Sequence, residues 1–447
     1  MKHLFRTSRL LVFIFLLVGF SSKTPILANE KNFHPDVCSP QTPDCYFERF
    51  SKLKLPRVEP IQASEISVGH VRKLNLIDGD EHKMTTVAIH PPIFEIPNFL
   101  SNEECDHIIE LAKKEGLQTS QTLKEGVKQD MIALGKNTKK HFDFWDPNKD
   151  GQIDIDEMIK GLETNLDFTP DKETLLTMYE YLGLDKDHDG NIDFVEFKQR
   201  DIPEMARYIG KVKDEKPHTK SRHSRQAWIQ NYSRNSNKIM ASLQDRVQRL
   251  TNLPLELILA SEYMQVVSYG PMGHYNCHLD SDLIRPNKPC CHYVGSELGH
   301  CRVCRYATIL YFLDNVEDGG ETAFPVADNI TFDKEEWMRD ANNVCNLAKN
   351  CQKANVVVKP EKGKAVLWYN HHVDNSTGWL GQLDRYTFHG GCDVKRGTKW
   401  IANSWISVGE DREKDILNWI ELADYEEEKS DVKPSIDSGT DSTHEEL

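Results

Sequence analysis

The chain has 447 residues, which is long enough for two or three domains. It carries 70 acidic against 55 basic side chains, so its formal net charge is −15. An acidic surface disfavours nucleic acid as a partner and suits a compartment rich in calcium.

The amino terminus has the pattern of a targeting segment. Lys2, Arg6 and Arg9 precede an apolar run, and small residues follow near Ser21 and Ala28. This order predicts a secretory signal peptide over residues 1–28. The run is shorter than the about twenty apolar residues that span a bilayer. A cleaved signal is therefore favoured over a retained signal anchor, and the membrane is a partner only if the segment is retained.

Residues 29–89 are predicted to be a lead-in region before the main fold. Residues 90–116 then supply a strand and a helix, and Ser101 with Glu104 forms the capping-box pair that opens the helix. Cys105 lies on the apolar face of this helix and is predicted to be unpaired.

The predicted helical insert, residues 117–210, contains two segments that match the twelve-residue calcium loop at every position. Gly151 and Gly190 allow the sharp turn, and Ile153 and Ile192 are apolar where two such loops pair as short strands. The pattern predicts an all-α EF-hand pair, with two acidic surface turns as the alternative. The candidate calcium ligands are Asp146, Asn148, Asp150, Gln152, Asp154 and Glu157 in the first loop, and Asp185, Asp187, Asp189, Asn191, Asp193 and Glu196 in the second.

Strand and helix patterns resume after the insert and continue to the acidic carboxyl-terminal segment, residues 411–447. That segment is predicted to hold a helix and then, from Ser430, a disordered tail. The predicted elements between are a charged linker at 211–220, an amphipathic helix at 237–250, buried strands at 305–313, 360–368 and 399–405, and a turn at 317–325.

Four residues of this second part have the chemistry of an iron site with a dicarboxylate pocket. Alternate residues of a strand face the same way, so His278 and Asp280 project together while Cys277 points away. His389 completes two imidazoles and one carboxylate, the set that leaves three positions on Fe(II) for a bidentate 2-oxo acid and dioxygen. Lys399 suits the far carboxylate of that acid.

These blocks resemble, in order and spacing, the prolyl 4-hydroxylases of the Fe(II)/2-oxoglutarate dioxygenase superfamily. The match runs from about residue 222 to 408 and includes residues 101–116. The resemblance implies that His278, Asp280 and His389 bind iron and that Lys399 pairs with 2-oxoglutarate.

Four further residues match the family less specifically. Tyr269 and Thr308 match residues that hydrogen-bond the same carboxylate of 2-oxoglutarate, and Tyr275 and Trp405 match aromatics near the iron. The alternative for Tyr269, Thr308 and Trp405 is that each is an ordinary residue of the barrel core.

A dioxygenase core interrupted by an EF-hand pair resembles the transmembrane prolyl 4-hydroxylase family. The implied fold is α+β, a double-stranded β-helix (jelly-roll) core over residues 90–116 and 211–410 with an inserted all-α EF-hand domain. The implied activity is hydroxylation of peptidyl proline to 4-hydroxyproline with Fe(II), O2, 2-oxoglutarate, ascorbate and Ca²⁺. The partner would be a proline-containing protein or peptide.

Two other functions remain open at this point. One is a calcium-binding protein of the endoplasmic reticulum lumen whose dioxygenase fold is a vestigial scaffold. The other is a 2-oxoglutarate hydroxylase that acts on another residue, such as lysine or asparagine, because the motifs around iron do not separate these substrates.

Address signals and cysteines point to the endoplasmic reticulum. The chain ends in His-Glu-Glu-Leu, residues 444–447, one residue removed from a retrieval signal. Sequons at Asn231, Asn329 and Asn375 add support. Disulfides are expected in such a compartment. The cysteines considered are Cys38 with Cys45 as a small loop, Cys345 and Cys351 in disulfides, and the cluster Cys290, Cys291, Cys301 and Cys304 as disulfides or, alternatively, a zinc site.

Overall fold

The computed structural model describes residues 38, 42–59, 68–120, 127–229, 237–293, 300–333 and 345–431. Within these ranges, no helix combines the length and the apolar composition that crossing a bilayer requires. The predicted signal segment, the retrieval-like end and the sequon at Asn231 lie outside the described residues, as does the tail predicted to be disordered from Ser430, except that Ser430 and Asp431 are helical.

The described elements alternate between a β-rich body and two helical regions. The helices are α1 Pro43–Phe50, α2 Asn102–Glu115, α3 Val127–Leu134, α4 Lys139–Trp145, α5 Ile155–Leu166, α6 Lys172–Leu182, α7 Phe194–Lys198, α8 Ile202–Glu215, α9 Lys238–Thr251, α10 Leu255–Leu259, α11 Leu347–Asn350 and α12 Arg412–Asp431. The strands are β1 Val71–Ile77, β2 Asp80–Ile89, β3 Pro92–Ile96, β4 Gln118–Thr119, β5 Gln152–Ile153, β6 Ile192–Asp193, β7 Arg222–His223, β8 Arg225–Ile229, β9 Met264–Tyr269, β10 His274–His278, β11 Arg305–Phe312, β12 Asp318–Gly319, β13 Thr322–Phe324, β14 Val356–Val358, β15 Ala365–Tyr369, β16 His371–Val373, β17 Leu380–Leu383, β18 His389–Gly391, β19 Val394–Arg396 and β20 Lys399–Ser407.

Two antiparallel sheets form the body. The larger has nine strands in the order β1-β2-β3-β15-β11-β20-β9-β8-β4, and the smaller has five in the order β14-β13-β18-β10-β7. Side chains of both sheets share one buried cluster, which includes Val267, Phe324 and Trp368. The result is a sheet-rich core with helices outside it, consistent with the predicted jelly roll.

The nine-stranded sheet is apolar on both faces, and strand alternation decides which residues face which side. On β11, Ile309 and Tyr311 join the cluster under the helices, whereas Leu310 and Phe312 face the smaller sheet. Helices α2 and α9 cover the outer face with residues of that first cluster. Burying an apolar side chain of this size stabilises the fold by roughly 1.5–3 kcal/mol. The inner face, which lies against the smaller sheet, also carries Thr308 on β11.

The covering helices begin where the sequence predicted. The Ser101 side chain accepts from the Glu104 amide, and the Glu104 side chain accepts from the Ser101 amide, which confirms the capping box of α2. Asn237 caps α9 through the Met240 amide. Both helices present an apolar face to the same buried cluster, so local capping and tertiary packing agree.

The prediction that residues 29–89 only lead into the fold was wrong. Strands β1 and β2 extend the nine-stranded sheet through pairing with β3. Helix α1 packs on α12, with the rings of Phe50 and Trp419 5.2 Å apart. The edge position explains the error, because an edge strand carries charged residues that weaken its apolar signal.

The insert has a hydrophobic core of its own, centred on Phe142, Trp145 and Phe197. Strands β5 and β6 pair with Ile153 opposite Ile192, which confirms the predicted short strand contact. Gly151 and Gly190 have φ of 93° and 88°, a region that favours glycine, as the sharp turns require.

The predicted linker at residues 211–220 was wrong in its first half. Helix α8 continues to Glu215, with Val212 and Lys213 buried against the insert. The Lys213 ammonium donates to the carbonyl of Leu166, so the charge that suggested a solvated linker is satisfied inside the insert.

The insert leaves and rejoins the body at adjacent positions of one sheet. The predicted start of the insert at residue 117 was wrong, because strand β4 at Gln118–Thr119 belongs to the nine-stranded sheet and pairs with β8, which follows the insert. The amide of Ser120 also donates to the carbonyl of Ser224 at 2.9 Å. The two ends of the insert therefore lie side by side at the edge of the nine-stranded sheet.

Ten of the cysteines form disulfides, and Cys105 is buried and unpaired, as predicted. The zinc alternative was wrong, because all four cluster sulfurs are bonded to each other in pairs. Cys345 and Cys351 are both in disulfides, which confirms that prediction. The disulfides are Cys38–Cys45, Cys277–Cys345, Cys290–Cys304, Cys291–Cys301 and Cys351–Cys392.

Candidate metal and cosubstrate site

Two histidines and one aspartate converge between the sheets. Strands β10 and β18 pair with His278 opposite His389. Strand β10 ends at His278, so Asp280 lies in the bend that follows it and not in the predicted strand, but it still faces the same side. The Nε2 atoms of His278 and His389 lie 3.5 and 3.6 Å from the two Asp280 carboxylate oxygens. One donor atom from each residue lies within 4.8 Å of the others, which suits a shared metal ion.

Backbone contacts select the histidine tautomer that binds metals. His278 Nδ1 donates to the carbonyl of Asn276 at 3.1 Å, and His389 Nδ1 donates to the carbonyl of Thr387 at 2.9 Å. The hydrogen on each Nδ1 leaves the Nε2 lone pair directed at the site. A carbonyl behind each ring also holds its orientation, as in known metal sites. These donors fit Fe(II).

Burial and neighbouring charges keep Asp280 and His389 ready to bind a cation. Burial lowers the pKa of His389 to about 4, so the ring is neutral at physiological pH. Burial alone raises the pKa of Asp280, but His389, His278 and Arg305 together hold it well below its usual range. The carboxylate is thus ionised beside the neutral ring of His389.

A glycine lets the two strands approach closely enough to bring the histidines together. A Cβ atom at Gly390 would clash with the Tyr275 carbonyl and lie 2.9 Å from the Asn276 carbonyl. Both neighbours are backbone atoms of β10, so neither can move aside without shifting the strand. The residue after His389 is therefore restricted to glycine.

A cavity of about 230 Å³ opens beside these residues. That volume is several times the roughly 30 Å³ share of one water molecule, so a small organic ligand can enter. Leu310 and Ile401 contribute apolar wall, and Tyr269 and Lys399 also line the cavity. The combination suits a ligand with an apolar middle and a negative end.

Lys399 supplies a buried positive group in this cavity. It is 1% exposed, and Nζ donates to the Glu321 carbonyl and the Thr322 hydroxyl at 3.3 Å each. Burial lowers the pKa of Lys399 to about 7, offset in part by Glu321. No carboxylate among the described residues forms an ion pair with it, so a ligand carboxylate would supply a missing partner.

Tyr269 lines the same part of the cavity, and the Lys399 ammonium lies 5.4 Å from its ring. Burial raises the pKa of Tyr269, so its hydroxyl remains a donor at neutral pH. Arg222 and Ser224 hydrogen-bond to that hydroxyl. The position fits the carboxylate contact predicted for Tyr269.

Thr308 has a different position from the one that its predicted role requires. It is fully buried, and its hydroxyl donates to Asp280 Oδ2 at 2.7 Å. The described residues that line the cavity do not include it, whereas they do include Thr322, which contacts Lys399. The geometry favours Thr322 over Thr308 for contact with a cosubstrate carboxylate.

Aromatic side chains surround the mouth of the cavity. Tyr275 stacks on His278 with ring centroids 3.8 Å apart, which places it near the metal donors as predicted. Trp405 is buried beside the cavity and lies 5.8 Å from Trp228, which is 39% exposed. The Arg305 guanidinium stacks 3.4 Å from the Trp405 ring.

Sequence reasoning gave no role to Thr322, Arg305 and Trp228. Thr322 and Arg305 lie inside blocks that the sequence analysis quoted, but nothing in spacing distinguishes them from structural residues. Arg305 forms a bidentate ion pair with Glu262, at 2.7 Å for both contacts, and donates to the backbone of Asp280. Only the fold brings these distant segments together.

The two acidic loops of the insert form separate oxygen-rich turns. In the first, the Gly151 amide donates to Asp146 Oδ2 at 3.1 Å, and in the second the Gly190 amide donates to Asp185 Oδ2 at 2.9 Å. The other oxygen, Oδ1, of Asp146 and of Asp185 is buried, and no described residue donates to it. Buried carboxylate oxygens of this kind require a cation or another donor.

The second loop is the more convergent of the two. Asp185, Asp187 and Glu196 each place one oxygen within 4.8 Å of the others, and the first loop forms no such group among the described residues. The oxygen donors fit Ca²⁺ chemically. The remaining predicted ligands lie in the same two loops and in the short elements that end them, Gln152 in β5, Asp193 in β6 and Glu157 at the start of α5. The others are Asn148, Asp150, Asp154, Asp189 and Asn191.

Comparison with known proteins defines the class of this site. The model of the 2OG-Fe(II) oxygenase superfamily matches residues 264–407, which contain His278, Asp280, His389 and Lys399. The chain is an Fe(II)- and 2-oxoglutarate-dependent dioxygenase.

Two relatives extend the match beyond this region. The mouse protein named transmembrane prolyl 4-hydroxylase is 37% identical over 378 residues, which cover 83% of this chain and 75% of the relative. The human protein of that name is 38% identical over 373 residues, which cover 82% and 74%. The chain belongs to the transmembrane prolyl 4-hydroxylase family.

Solved structures of other proteins are also similar to this chain. The viral collagen prolyl hydroxylase of Paramecium Bursaria Chlorella virus-1 aligns over 70% of this chain and 94% of that chain, at 19% identity and a TM-score of 0.33.

Proposed function

We propose that this protein hydroxylates proline in a peptide or protein to 4-hydroxyproline, with Fe(II), O2 and 2-oxoglutarate. The observation that carries the proposal is the convergence of two Nε2 atoms and one carboxylate beside a cavity with a buried lysine. Proline is proposed as the substrate residue because both relatives are named prolyl 4-hydroxylases.

Each residue of the site has a distinct task in this proposal. His278, Asp280 and His389 would hold Fe(II), which, when bound, supplies the oxidation chemistry. Lys399, Tyr269 and Thr322 would hold the far carboxylate of 2-oxoglutarate. Leu310 and Ile401 exclude water from its apolar middle. Ascorbate is expected to sustain turnover, as the family resemblance implies.

The mouth of the cavity suits a proline side chain. Trp228 and Trp405 offer apolar ring faces, on which proline-rich segments dock in other proteins. The Trp405 Nε1 atom is buried, and no described residue accepts its hydrogen. A carbonyl of the substrate backbone would satisfy that donor and orient the proline ring toward the metal site.

Mass spectrometry of proline-containing peptides tests the activity. The purified protein with Fe(II) and 2-oxoglutarate should add one oxygen to proline, and the Asp280→Ala variant should add none. Oxygen on lysine or asparagine alone would support a hydroxylase of different specificity. No product from any peptide, with metal and 2-oxoglutarate both bound, would favour a vestigial scaffold.

We also propose that the insert is an EF-hand pair that binds calcium. The buried Asp146 and Asp185 oxygens that lack a donor are the observation in its favour. Calorimetric titration with Ca²⁺ should give two bound ions per chain. If no heat of binding is measured at millimolar Ca²⁺, the alternative holds that the two segments are acidic surface turns.

Calcium would stabilise the insert, and one contact path offers it influence on the metal site. Helix α5 starts in the first loop and ends at Leu166, and the carboxylate of its C-cap residue Asp167 accepts from the Ser221 amide at 2.9 Å. The Ser221 carbonyl accepts from the Asn276 amide at 2.7 Å, and the Asn276 carbonyl accepts from His278. Turnover measured with and without Ca²⁺ at equal folded fraction separates the regulatory role from the stabilising one.

The proposed location is the endoplasmic reticulum. Five disulfides support an oxidising compartment. In expressing cells the protein should carry glycans at sequons such as Asn375, which is exposed, and deletion of residues 444–447 should release it into the medium. Membrane association that resists carbonate extraction would show a retained anchor instead of a cleaved signal.

A further inference from the structure

We propose that Thr308 is a positioning residue that withholds one carboxylate oxygen of Asp280 from the metal, and that Asn370 and Trp368 set its orientation. The inference rests on the proposed metal site. It assigns Thr308 a task different from the cosubstrate contact that family resemblance implies.

Four side chains form a continuous buried chain of hydrogen bonds on the inner face of the nine-stranded sheet. Trp368 Nε1 donates to Asn370 Oδ1 at 3.0 Å. Asn370 Nδ2 donates to Thr308 Oγ1 at 2.9 Å, and Thr308 Oγ1 donates to Asp280 Oδ2 at 2.7 Å. Trp368, Asn370 and Thr308 are all fully buried. Competition from solvent is therefore absent along the chain.

The chemistry of the first donor sets the direction of every bond. Indole nitrogen can only donate, so the oxygen of the Asn370 amide must face Trp368. The Asn370 amino group then faces Thr308 and donates to its oxygen. The single Thr308 hydrogen remains for Asp280, whose ionised carboxylate can only accept.

This directed bond leaves the two Asp280 oxygens unequal. Each oxygen lies near a histidine Nε2, Oδ1 at 3.5 Å from His278 and Oδ2 at 3.6 Å from His389, but Thr308 donates to Oδ2. Rotation of the carboxylate toward bidentate binding would break the Thr308 bond and leave a buried hydroxyl without an acceptor, which is costly. Asp280 is thus held for ligation through one oxygen. One oxygen together with two histidines leaves the three positions that a chelating 2-oxo acid and dioxygen need.

The position of Asn370 shows why this arrangement belongs to the fold and not to a local turn. Strand β15 pairs with β11 so that Trp368 is opposite Thr308. Asn370 follows β15 directly and lies on the same face as Trp368, two residues earlier. Trp368 also packs on the His389 ring, with centroids 4.6 Å apart. Trp368 on β15 therefore contacts one proposed ligand, His389, directly and the other, Asp280, through these hydrogen bonds.

Substitution of Thr308 separates the two possible roles. Thr308→Val keeps the shape and removes the hydroxyl, and Thr308→Ser keeps the hydroxyl. With Co²⁺ as the probe, calorimetry should show about 10- to 100-fold weaker binding for the valine variant and near-parental binding for serine. The visible absorption of bound Co²⁺, which reports its coordination, should change only in the valine variant. The Michaelis constant for 2-oxoglutarate should stay within about twofold of the parent in both, because the Thr308 hydroxyl orients a metal ligand and does not contact the cosubstrate.

Parental Co²⁺ affinity in Thr308→Val, or a raised Michaelis constant for 2-oxoglutarate with unchanged metal affinity, would overturn the inference. If the valine variant does not fold, Asn370→Leu should weaken Co²⁺ binding in its place, and parental affinity there overturns the inference equally. Asp280→Ala separates this failure from a failure of the proposed function. If that variant binds Co²⁺ as the parent does, the metal site itself is wrong.

Discussion

The barrel site, formed by His278, Asp280 and His389 between the two sheets, and the acidic loops of the insert both bring together groups that can bind a metal ion. The chain assembles the two sites in opposite ways. Each loop takes its donors from about twelve consecutive residues. The barrel site takes His278 and His389 from two paired strands and holds them by backbone carbonyls. The loops expose several carboxylates, whereas Asp280 and His389 are buried. The body therefore positions its donors by itself, and the loops would depend more on the calcium ion proposed for them.

The largest expected effect separates the two regions directly. Asp280→Ala should remove metal binding and abolish turnover, because one of three ligands is lost. Calcium binding should be unchanged in this variant. Calorimetry with Co²⁺ and with Ca²⁺, together with a 2-oxoglutarate turnover assay, measures all three quantities. Turnover near the parental rate would place Asp280 outside the active site.

A second effect concerns the buried lysine of the barrel. Lys399→Ala should raise the Michaelis constant for 2-oxoglutarate by roughly 30- to 150-fold, because a charge-assisted bond of about 2–3 kcal/mol is lost. Lys364 offers a matched control, since it is also buried but already pairs with Glu95 and Glu361. Lys364→Ala should lower stability and leave the Michaelis constant unchanged. Equal Michaelis constants for the parent and Lys399→Ala would contradict the role of Lys399.

The same lysine predicts a pH dependence that the loops do not share. Burial lowers the pKa of Lys399 to about 7, so below that pH the ammonium is already charged when the cosubstrate arrives. Above it, binding must take up a proton, and the Michaelis constant for 2-oxoglutarate should rise by up to about tenfold per pH unit. Lys399→Arg should flatten this profile, because guanidinium stays charged. A flat parental profile from about pH 7 to about pH 9 would argue against this ionisation.

The smallest expected effects lie in the insert and distinguish its loops. Glu196→Gln should weaken calcium binding more than Glu157→Gln does, because only the second loop brings its donors together in the described structure. A tenfold loss of affinity removes about 1.4 kcal/mol of stabilisation by bound ion. Thermal unfolding with and without Ca²⁺ measures this loss. A large drop in turnover without loss of stability would show instead that calcium regulates the barrel.

The contrast also explains what could be predicted from the sequence. The loops, their glycines and the contact of Ile153 with Ile192 follow from local spacing, as does the pair His278 and Asp280. Thr308 and Thr322 could not be distinguished, since their surroundings depend on strand register between distant segments.

Register also accounts for the error near the amino terminus. Strands β1 and β2 join the nine-stranded sheet only through pairing with β3. Their charged and polar residues are grouped, as in Arg72–Lys73 and Asp80–Lys83, so composition alone favoured a polar lead-in. The amino-terminal boundary of the catalytic fold could therefore be placed only from the strand pairing in the structure.

The adjacency of β4 and β8 has a consequence for how such a protein could arise. Paired strands lie about 5 Å apart, so an inserted unit whose ends meet there adds almost no loop-closure cost to the host fold. The strand order of the nine-stranded sheet is the same with or without the insert. Gain or loss of the helical insert by recombination would thus be tolerated by the dioxygenase body. A short turn that joins Ser120 to Ser221, and so keeps β7 in the smaller sheet, should yield a smaller enzyme for engineering.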